Sequence, residues 1–343
     1  MAAMLGKRGG EFYPLRRKPR LSRRVRGIAA TSNSGQEPAT GLRYRPARNA
    51  RTARMTLPPP IATFYTRPGP MTDPGALEAL LKDAPSDIPG IVAYTQNLLL
   101  HQHWAPAYRM RLTAARLEEP HTRSVHDMLV LLQRHDPRPL AFARTLYQRA
   151  VGNCRHFSTF GTALFRRACI PARARCGFGA YFQQGFHADH WVIEYWNGAA
   201  WQLLDAQIDA AQRAMLRLDF DPLDVPRDQF VIAFDAWQKC RAGTADPATF
   251  GIFQEKGMWF IAGNVVRDFA ALNNMEMLPW DVWGAMVKPD EEFTPQKLAL
   301  FDRLATLCAD PDAHFDKLRK LYASDAALRV PAQVFNALRQ RME

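Results

Sequence analysis

Cys154, His190 and Asp205 follow one another within a short stretch of the 343-residue sequence, where they supply a thiol, an imidazole and a carboxylate. These are the groups that a cysteine nucleophile requires. The thiolate attacks, the imidazole acts as its base, and the carboxylate fixes the tautomer of the imidazole. The order and closeness of the three residues therefore predict chemistry at a carbonyl carbon.

A hairpin is predicted between the histidine and the aspartate. Asn197-Gly198 separates two runs rich in aromatic and β-branched residues, which is a strong hairpin signal. With a two-residue loop, His190 lies directly opposite Asp205 on one face of the hairpin. A four-residue loop, 197–200, makes them diagonal neighbours on one face, whereas a three-residue loop places them on opposite faces. Two of the three loop lengths thus bring the side chains together.

The cysteine is predicted to begin a helix. Asn153 has the side chain of an N-cap, which makes Cys154 the first helical residue. Four apolar positions follow it: Phe157, Phe160, Leu164 and Phe165. The helix should end near Cys169, because Ile170-Pro171 stops it. A thiol at a helix N-terminus lies at the positive end of the macrodipole, so we expect a lowered pKa for Cys154.

Taken together, these segments resemble the transglutaminase-like superfamily of the papain-like cysteine enzymes. The matching pieces are Gly152-Asn153-Cys154-Arg155, the run from Leu164 to Arg173, the pair His190-Trp191, and Trp201 through Asp205. The resemblance implies Cys154 as nucleophile, His190 as base and Asp205 as the orienting carboxylate. It covers residues 152–205 closely and the region 71–286 more loosely.

The roles of other site residues are each predicted from a single feature of the sequence. The Cys154 backbone N–H is suited to an oxyanion hole. A second donor would be Gln148, six residues upstream as in papain-like enzymes, or Tyr147. Trp191, Trp280 and Trp283 are candidate walls of a substrate cleft. The competing interpretation is that the aromatic stretch around Trp259 forms only a packed helical face.

No metal site or cofactor is expected. His101 and His103 lack further ligands at useful spacing, and the sequence contains no acidic calcium loop. His187 would pair beyond Asp205 in the hairpin and is therefore not the favoured base. The four other cysteines are interpreted as small buried apolar residues: Cys169, Cys176, Cys240 and Cys308.

The positive charge of the chain is concentrated in residues 1–70. That segment has 15 basic and two acidic residues, a net charge of +13, against +12 for the whole chain, so residues 71–343 carry −1. Its Arg- and Pro-rich composition predicts disorder. Three interpretations of this segment are open: a nucleic-acid-binding arm, a transit peptide, or a stretch that is no part of the working protein. The last is favoured, because Met55 and Met71 offer later starts.

The predicted fold class is α+β, with the nucleophile helix packed on a small antiparallel sheet and helices on both sides. Residues 71–290 would form the transglutaminase-like domain, with its core at 140–210, and 291–343 a C-terminal helical extension. Helical patterns after the core cover these segments: Phe230 to Cys240, Trp259 to Leu272, Leu298 to Cys308, Leu318 to Tyr322, and Val334 to Leu338.

The expected function is acyl transfer or amide hydrolysis through a thioester at Cys154, with a protein or peptide amide as substrate. An amine acceptor would make the protein a transglutaminase, and water a peptidase or amidase. The alternative is a catalytically silent interaction module. Five cysteines without framework spacing, no signal peptide and no membrane-spanning apolar run predict a cytoplasmic protein that does not bind membranes. The sequence leaves the oligomeric state open.

Overall fold

The computed structural model describes residues 56–343. Most of the predicted basic tail, and its interpretation as a nucleic-acid-binding arm, therefore lies outside the described residues. The end of that segment is ordered, because a helix forms over Pro59–Thr66. Tyr65 of this helix is fully buried and donates a hydrogen bond to the Leu272 carbonyl (3.1 Å). A start at Met71 would remove this buried contact, so the predicted boundary at residue 70 is wrong.

Within the described residues the α-helices are α1 Pro59–Thr66, α2 Ile88–Leu98, α3 Ala114–Leu117, α4 Val125–His135, α5 Cys154–Arg167, α6 Ala210–Leu216, α7 Ala233–Arg241, α8 Met258–Leu272, α9 Pro295–Ala309 and α10 Phe315–Ser324. The strands are β1 Leu99–His101, β2 Ala150–Gly152, β3 Ala172–Gln183, β4 Phe186–Trp196, β5 Trp201–Leu204, β6 Phe230–Ile232, β7 Phe250–Ile252, β8 Glu255–Lys256, β9 Asp281–Val282, β10 Phe335–Asn336 and β11 Arg341–Met342. Short 3-10 turns lie at Gly75–Leu81, Ala105–Tyr108, Glu119–His121, Leu146–Gln148 and Pro247–Thr249.

The central sheet has the strand order β6-β3-β4-β7-β8, and β5 also pairs with β4. Strands β3 and β4 are antiparallel, whereas β7 runs parallel to β4. Helix α5 packs against β4 and β3, and α8 packs against β3. Helices α2 and α4 share the hydrophobic core of α5, and α7, α9 and α10 share that of α8. This arrangement confirms the predicted α+β class.

Helix α5 begins where the sequence predicts. The Asn153 side chain accepts a hydrogen bond from the Arg155 N–H (3.1 Å), and the Asn153 N–H donates to Nδ1 of His156 (3.1 Å). This reciprocal cap fixes Cys154 as the first helical residue. After Arg167 the chain turns through Cys169, which adopts a left-handed conformation with φ of 58°. The helix therefore stops just before Ile170-Pro171, as predicted.

The hairpin between β4 and β5 has the longer of the two favourable loops. Trp196 pairs with Trp201, so the loop has four residues, and the two-residue loop is wrong. The Asn197 side chain stabilises the four-residue loop, because its oxygen accepts hydrogen bonds from the N–H groups of Ala199 (3.0 Å) and Ala200 (2.9 Å). Gly198 takes a positive φ of 94° in this loop, which is the conformation that favours glycine.

Two predicted helical segments differ from the structure. Residues Phe230–Ile232 form β6, so the following helix starts only at Ala233. The segment around Val334 is not a helix, because Phe335–Asn336 pairs with β9 and β11 as a strand.

The C-terminal residues share a core with the preceding domain. Phe301, Leu304 and Leu318 are fully buried in the same hydrophobic cluster as Ile261 and Val265 of α8. Residues 291–343 therefore complete this core instead of extending from it. No helix between residues 56 and 343 combines the length and apolar character needed to cross a membrane.

Candidate active site

A cavity of about 620 Å³ opens at the N-terminus of α5, and Cys154 and His190 both line it. Cys154 reaches it because the reciprocal cap places this residue in the first helical turn. His190 reaches it from β4, which is held by β3 on one edge and by β5 and β7 on the other. The two reactive side chains thus come from separate elements whose relative position is set by the central sheet.

The imidazole of His190 is fixed by a buried carboxylate. Its Nε2 lies 2.8 Å from Oδ2 of Asp205, and both residues are buried. The hydroxyl of Tyr181 donates to the same oxygen (2.7 Å), and the Gln207 N–H donates to Oδ1 (3.0 Å). The aromatic ring of Phe182 stands edge-on to the imidazole at 4.7 Å. These contacts leave the ring a single orientation, with Nδ1 on the side away from Asp205.

The thiol of Cys154 is only 6% exposed. Burial raises its pKa well above the usual value, and the nearby carboxylate of Asp189 raises it further. The backbone N–H groups of Trp191 and Arg155 point at the sulfur and lower the pKa, but by less. The expected lowering by the helix N-terminus is therefore wrong for the unliganded site, because desolvation outweighs the helix dipole.

The structure does not bring Gln148 to the cavity. Its Oε1 accepts hydrogen bonds from the N–H and the hydroxyl of Thr145, both at 2.9 Å, and closes a capping box around a 3-10 turn. Its neighbour Tyr147 is 66% exposed and also lies outside the cavity lining. A six-residue spacing places a glutamine beside the cysteine only when the intervening chain follows the required path, and here β2 intervenes.

The predicted cleft tryptophans occupy three different environments. Trp191 is fully buried and packs with Cys154 beneath the cavity. Trp280 lines the cavity, as does Trp259 of α8. Trp283 lies in the hydrophobic core, where its Nε1 donates to the Leu328 carbonyl (3.3 Å). The aromatic stretch is thus partly core and partly cavity wall.

Several wall residues were not singled out by sequence reasoning. His101 ends β1, which pairs in parallel with β2 just before Cys154, and Gln102 and His103 follow it; all three line the cavity. Burial lowers the pKa of His101 well below the usual value and that of His103 to about 4, so both imidazoles are neutral near pH 7. The spacing of the histidines was visible in sequence, but their approach to Cys154 depends on the β1–β2 pairing.

Two more wall residues come from β4 and α8. Asp189 accepts a hydrogen bond from Nδ2 of Asn264 (2.7 Å), and Arg267, one helical turn further on, also lines the cavity. His187 lies elsewhere, with its ring stacked on Phe250 at 4.3 Å. Over residues 56–343 no group of three or more His, Cys, Asp or Glu side chains has metal-binding geometry.

Part of the chain is similar to a known protein family. Residues 121–206 match the model of the transglutaminase-like superfamily. A solved structure of a candidate cysteine protease from Cytophaga hutchinsonii is similar, at 18% identity and a TM-score of 0.30. The match covers 51% of this chain and 46% of that one, so this chain spans less than half the length of the structure it matches. A search of curated proteins gave no match.

Proposed function

We propose that this chain, whose residues 121–206 match the transglutaminase-like superfamily, is a cysteine enzyme that forms a thioester at Cys154. The observation that carries the proposal is the hydrogen bond of 2.8 Å between His190 and Asp205 beside the cavity that Cys154 lines. This contact supports Cys154 as nucleophile, His190 as base and Asp205 as orienting carboxylate, carried by α5, by β4 and by the residue after β5. This is the constellation by which a cysteine attacks a carbonyl carbon.

In the first half-reaction, Sγ of Cys154 attacks the carbonyl carbon of an amide or ester, and Nδ1 of His190 takes the thiol proton. The carbonyl oxygen becomes an oxyanion, and the Cys154 N–H, an unpartnered position of the first helical turn, stabilises it. The oxyanion then collapses, the carbonyl–leaving-group bond breaks, and His190 returns the proton to the leaving nitrogen or oxygen. The product is a thioester of Cys154 and a free amine or alcohol.

In the second half-reaction, a water molecule or an amine attacks the thioester carbonyl. His190 removes a proton from this acceptor and returns it to the sulfur as the carbon–sulfur bond breaks. Asp205 accepts a hydrogen bond from Nε2 of His190 throughout, so it stabilises the imidazolium and keeps Nδ1 available for the proton. We favour water as acceptor and a peptide or protein amide as substrate, which makes the enzyme an amidase or peptidase.

The raised pKa of Cys154 is compatible with this chemistry. A thiol that is neutral in the resting site must lose its proton as it attacks, and His190 is placed to accept it. The imidazolium that forms when His190 takes this proton stabilises the thiolate and offsets the effect of Asp189. General-base assistance of this kind contributes about 10²- to 10⁴-fold to a rate.

Acylation by an activated ester tests the proposal. The full chain is incubated with 4-nitrophenyl butyrate, and the mass of each cysteine-containing peptide is measured. We expect the butyryl group on Cys154, no butyrylation in Cys154→Ala, and a rate lower by about 10²- to 10⁴-fold in His190→Ala. Cys169→Ser is the matched control, because this thiol is exposed and lies outside the cavity lining.

Absence of a Cys154 acyl group in the wild-type chain would contradict the proposal. Equal acylation of Cys154 in the wild type and in His190→Ala would do the same. In either case the transglutaminase-like fold would serve as an interaction module without catalysis. Labelling at Cys169 alone would show only the ordinary reactivity of an exposed thiol.

A further inference from the structure

Arg267 is a buried cation in the wall of the active-site cavity. It lies on α8, is 6% exposed, and lines the same cavity as Cys154 and His190. Its charge acts on the thiol of Cys176, which belongs to the same hydrophobic cluster as Cys154. A guanidinium remains protonated at neutral pH even when burial lowers its pKa, as it does here.

Arg267 forms no ion pair with a carboxylate in residues 56–343, although Asp189 and Asp281 lie close enough to raise its pKa. Its Nη1 donates to the Asn264 side-chain oxygen and its Nη2 to the Asp281 backbone carbonyl, both at 3.1 Å, and both acceptors are neutral. The Nε–H is buried and has no hydrogen-bond partner. A buried charge is normally paired, because its desolvation is otherwise uncompensated.

The two nearest carboxylates are kept away from Arg267 by other contacts. Asn264 stands between Arg267 and Asp189, donating to Asp189 (2.7 Å) while it accepts from the guanidinium. Both carboxylate oxygens of Asp281 accept from Arg123, at 2.7 and 3.0 Å. The side chains around Arg267 therefore hold the guanidinium in place without completing an ion pair.

Three other buried arginines form ion pairs, whereas Arg155, which lies outside the cavity lining, donates to the backbone carbonyls of Arg123 and Glu276. Arg166 reaches Glu276 at 3.3 Å, and Arg173 and Arg175 both reach Glu194 at 2.7 Å. The difference is the position of Arg267, since it faces the cavity that a substrate would fill. A planar guanidinium with unused N–H groups matches a carboxylate better than it matches any neutral acceptor.

We propose that Arg267 binds a carboxylate of the substrate, so that the preferred acyl donor is an amide or ester bearing a free carboxylate. This inference rests on the proposed thioester chemistry and names the substrate class for it. The rest of the wall includes the aromatic side chains of Trp259, Phe260 and Trp280. The substrate thus carries an apolar or aromatic body with one anionic group, such as the C-terminal residue of a peptide.

The test compares two probes that differ only in charge. N-acetylphenylalanine carries a carboxylate, and N-acetylphenylalanine amide is its neutral counterpart. Each is used to protect Cys154 of the full chain against iodoacetamide, with the modification followed by peptide mass. We expect the carboxylate to give half-protection at a concentration about tenfold or more lower than the amide.

Variants assign the difference to one side chain. Arg267→Gln should abolish the preference for the carboxylate, and Arg267→Lys should keep part of it, because lysine retains the charge but not the planar fork. Lys256→Gln is the matched control, since Lys256 is an exposed cation that lines the same cavity. We expect the control to retain the full preference.

Equal protection by the two probes in the wild type, or none by either, would overturn the inference. A preference that survives in Arg267→Gln would also overturn it. If Arg267→Gln does not fold, Arg267→Lys decides, since an unchanged preference in that variant would contradict the role of the guanidinium. Calorimetric titration of both probes into Cys154→Ala repeats the comparison without any need for a reactive thiol.

Failure of the catalytic proposal is recognised separately. It would appear as a missing butyryl group on Cys154 after incubation with 4-nitrophenyl butyrate, whatever the two protection constants are. A charge preference without acylation would indicate a carboxylate-binding module. Acylation without a charge preference would leave the enzyme proposal intact and remove the substrate class.

Discussion

Two polar regions of this molecule lie close together and differ in how completely their groups are paired. On one side of the central sheet, Glu194 accepts from Arg173 and Arg175 at 2.7 Å and from Arg227 at 2.8 Å. Asp268 accepts from Arg175 through both oxygens, at 2.8 and 2.9 Å. We call this set the arginine network. At the cavity wall, in contrast, buried polar atoms remain without partners.

The unpaired atoms of the cavity wall include Nε of Arg267, Oε1 of Gln207 and Nε1 of Trp280. Both regions are buried, so burial alone does not explain the difference. Residues 173, 175 and 194 are surrounded by protein on every side, whereas the wall residues adjoin a space of about 620 Å³. Completed ion pairs thus stabilise the fold, whereas the polar atoms of the cavity wall remain available to a ligand under the proposal for Arg267.

The largest effect on stability should come from breaking the arginine network. Glu194→Ala leaves two buried guanidinium groups without their shared carboxylate, so we expect the free energy of unfolding to fall by about 3–5 kcal/mol. Urea denaturation of the wild type and the variant measures this difference in the free energy of unfolding. Burial raises the pKa of Glu194, but the charges of Arg173 and Arg175 outweigh burial and hold this pKa below its usual value. The stabilisation is therefore present above the unfolded-state pKa and is lost as pH falls through the folded-state pKa.

The control for this variant is an exposed ion pair. Lys239 and Asp235 lie 2.7 Å apart on α7, with the lysine side chain 44% exposed. Lys239→Gln should change the free energy of unfolding by less than about 0.5 kcal/mol, because solvent screens the pair. A similar loss in both variants would remove the distinction between the network and ordinary surface pairs.

A smaller effect, on reactivity, is expected at the cavity wall. After burial, Asp189 is the main cause of the raised pKa of Cys154. Asp189→Asn removes this negative charge, so the Cys154 pKa should fall and alkylation by iodoacetamide at pH 7 should be faster by several-fold, up to about tenfold. The alkylation rate measured from pH 6 to pH 10 should have its midpoint at a lower pH in the variant.

Glu255→Gln serves as the control for Asp189→Asn, because Glu255 also lines the cavity but does not act on the Cys154 thiol. Its profile should overlay that of the wild type. A midpoint that stays in place in Asp189→Asn, or moves to higher pH, would show that the carboxylate does not set the reactivity of the thiol.

The smallest effect is expected at Gln148. The side chain of this residue caps a 3-10 turn through Thr145 and does not line the cavity. Gln148→Ala should therefore change the rate of Cys154 acylation by less than about twofold and lower stability by about 0.5–1 kcal/mol. Thr145→Ala removes the same cap and should behave alike. A loss of acylation in Gln148→Ala but not in Thr145→Ala would support the predicted role of Gln148 as an oxyanion-hole donor.

Local chemistry made some parts of the site predictable. The start of α5 follows from the Asn153 cap, and the hairpin follows from Asn197-Gly198, since each depends on residues a few positions apart. The loop length was decided by the Asn197 side chain, which holds two N–H groups that a two-residue loop would not present. The sequence pattern predicted the hairpin but left two favourable loop lengths, and therefore two registers, open.

The cavity wall could not be predicted in the same way. His101, Asn264 and Arg267 reach Cys154 only through the β1–β2 pairing and the packing of α8 on β3, which are contacts between distant parts of the chain. The predicted lowering of the Cys154 pKa was wrong for a related reason. The helix N-terminus is visible in the sequence, whereas the depth of burial and the approach of Asp189 belong to the assembled fold.

The strand pairing of β10 with β9 places Ala337 and Leu338 in the cavity wall, and this has a consequence for the order of synthesis. A ribosome that adds about 5–20 residues per second needs roughly 7 to 27 s to travel from Asp205 to Leu338. During that time Cys154, His190 and Asp205 exist in the nascent chain without the last strands. Cys154 is therefore synthesised well before the C-terminal part of the cavity wall.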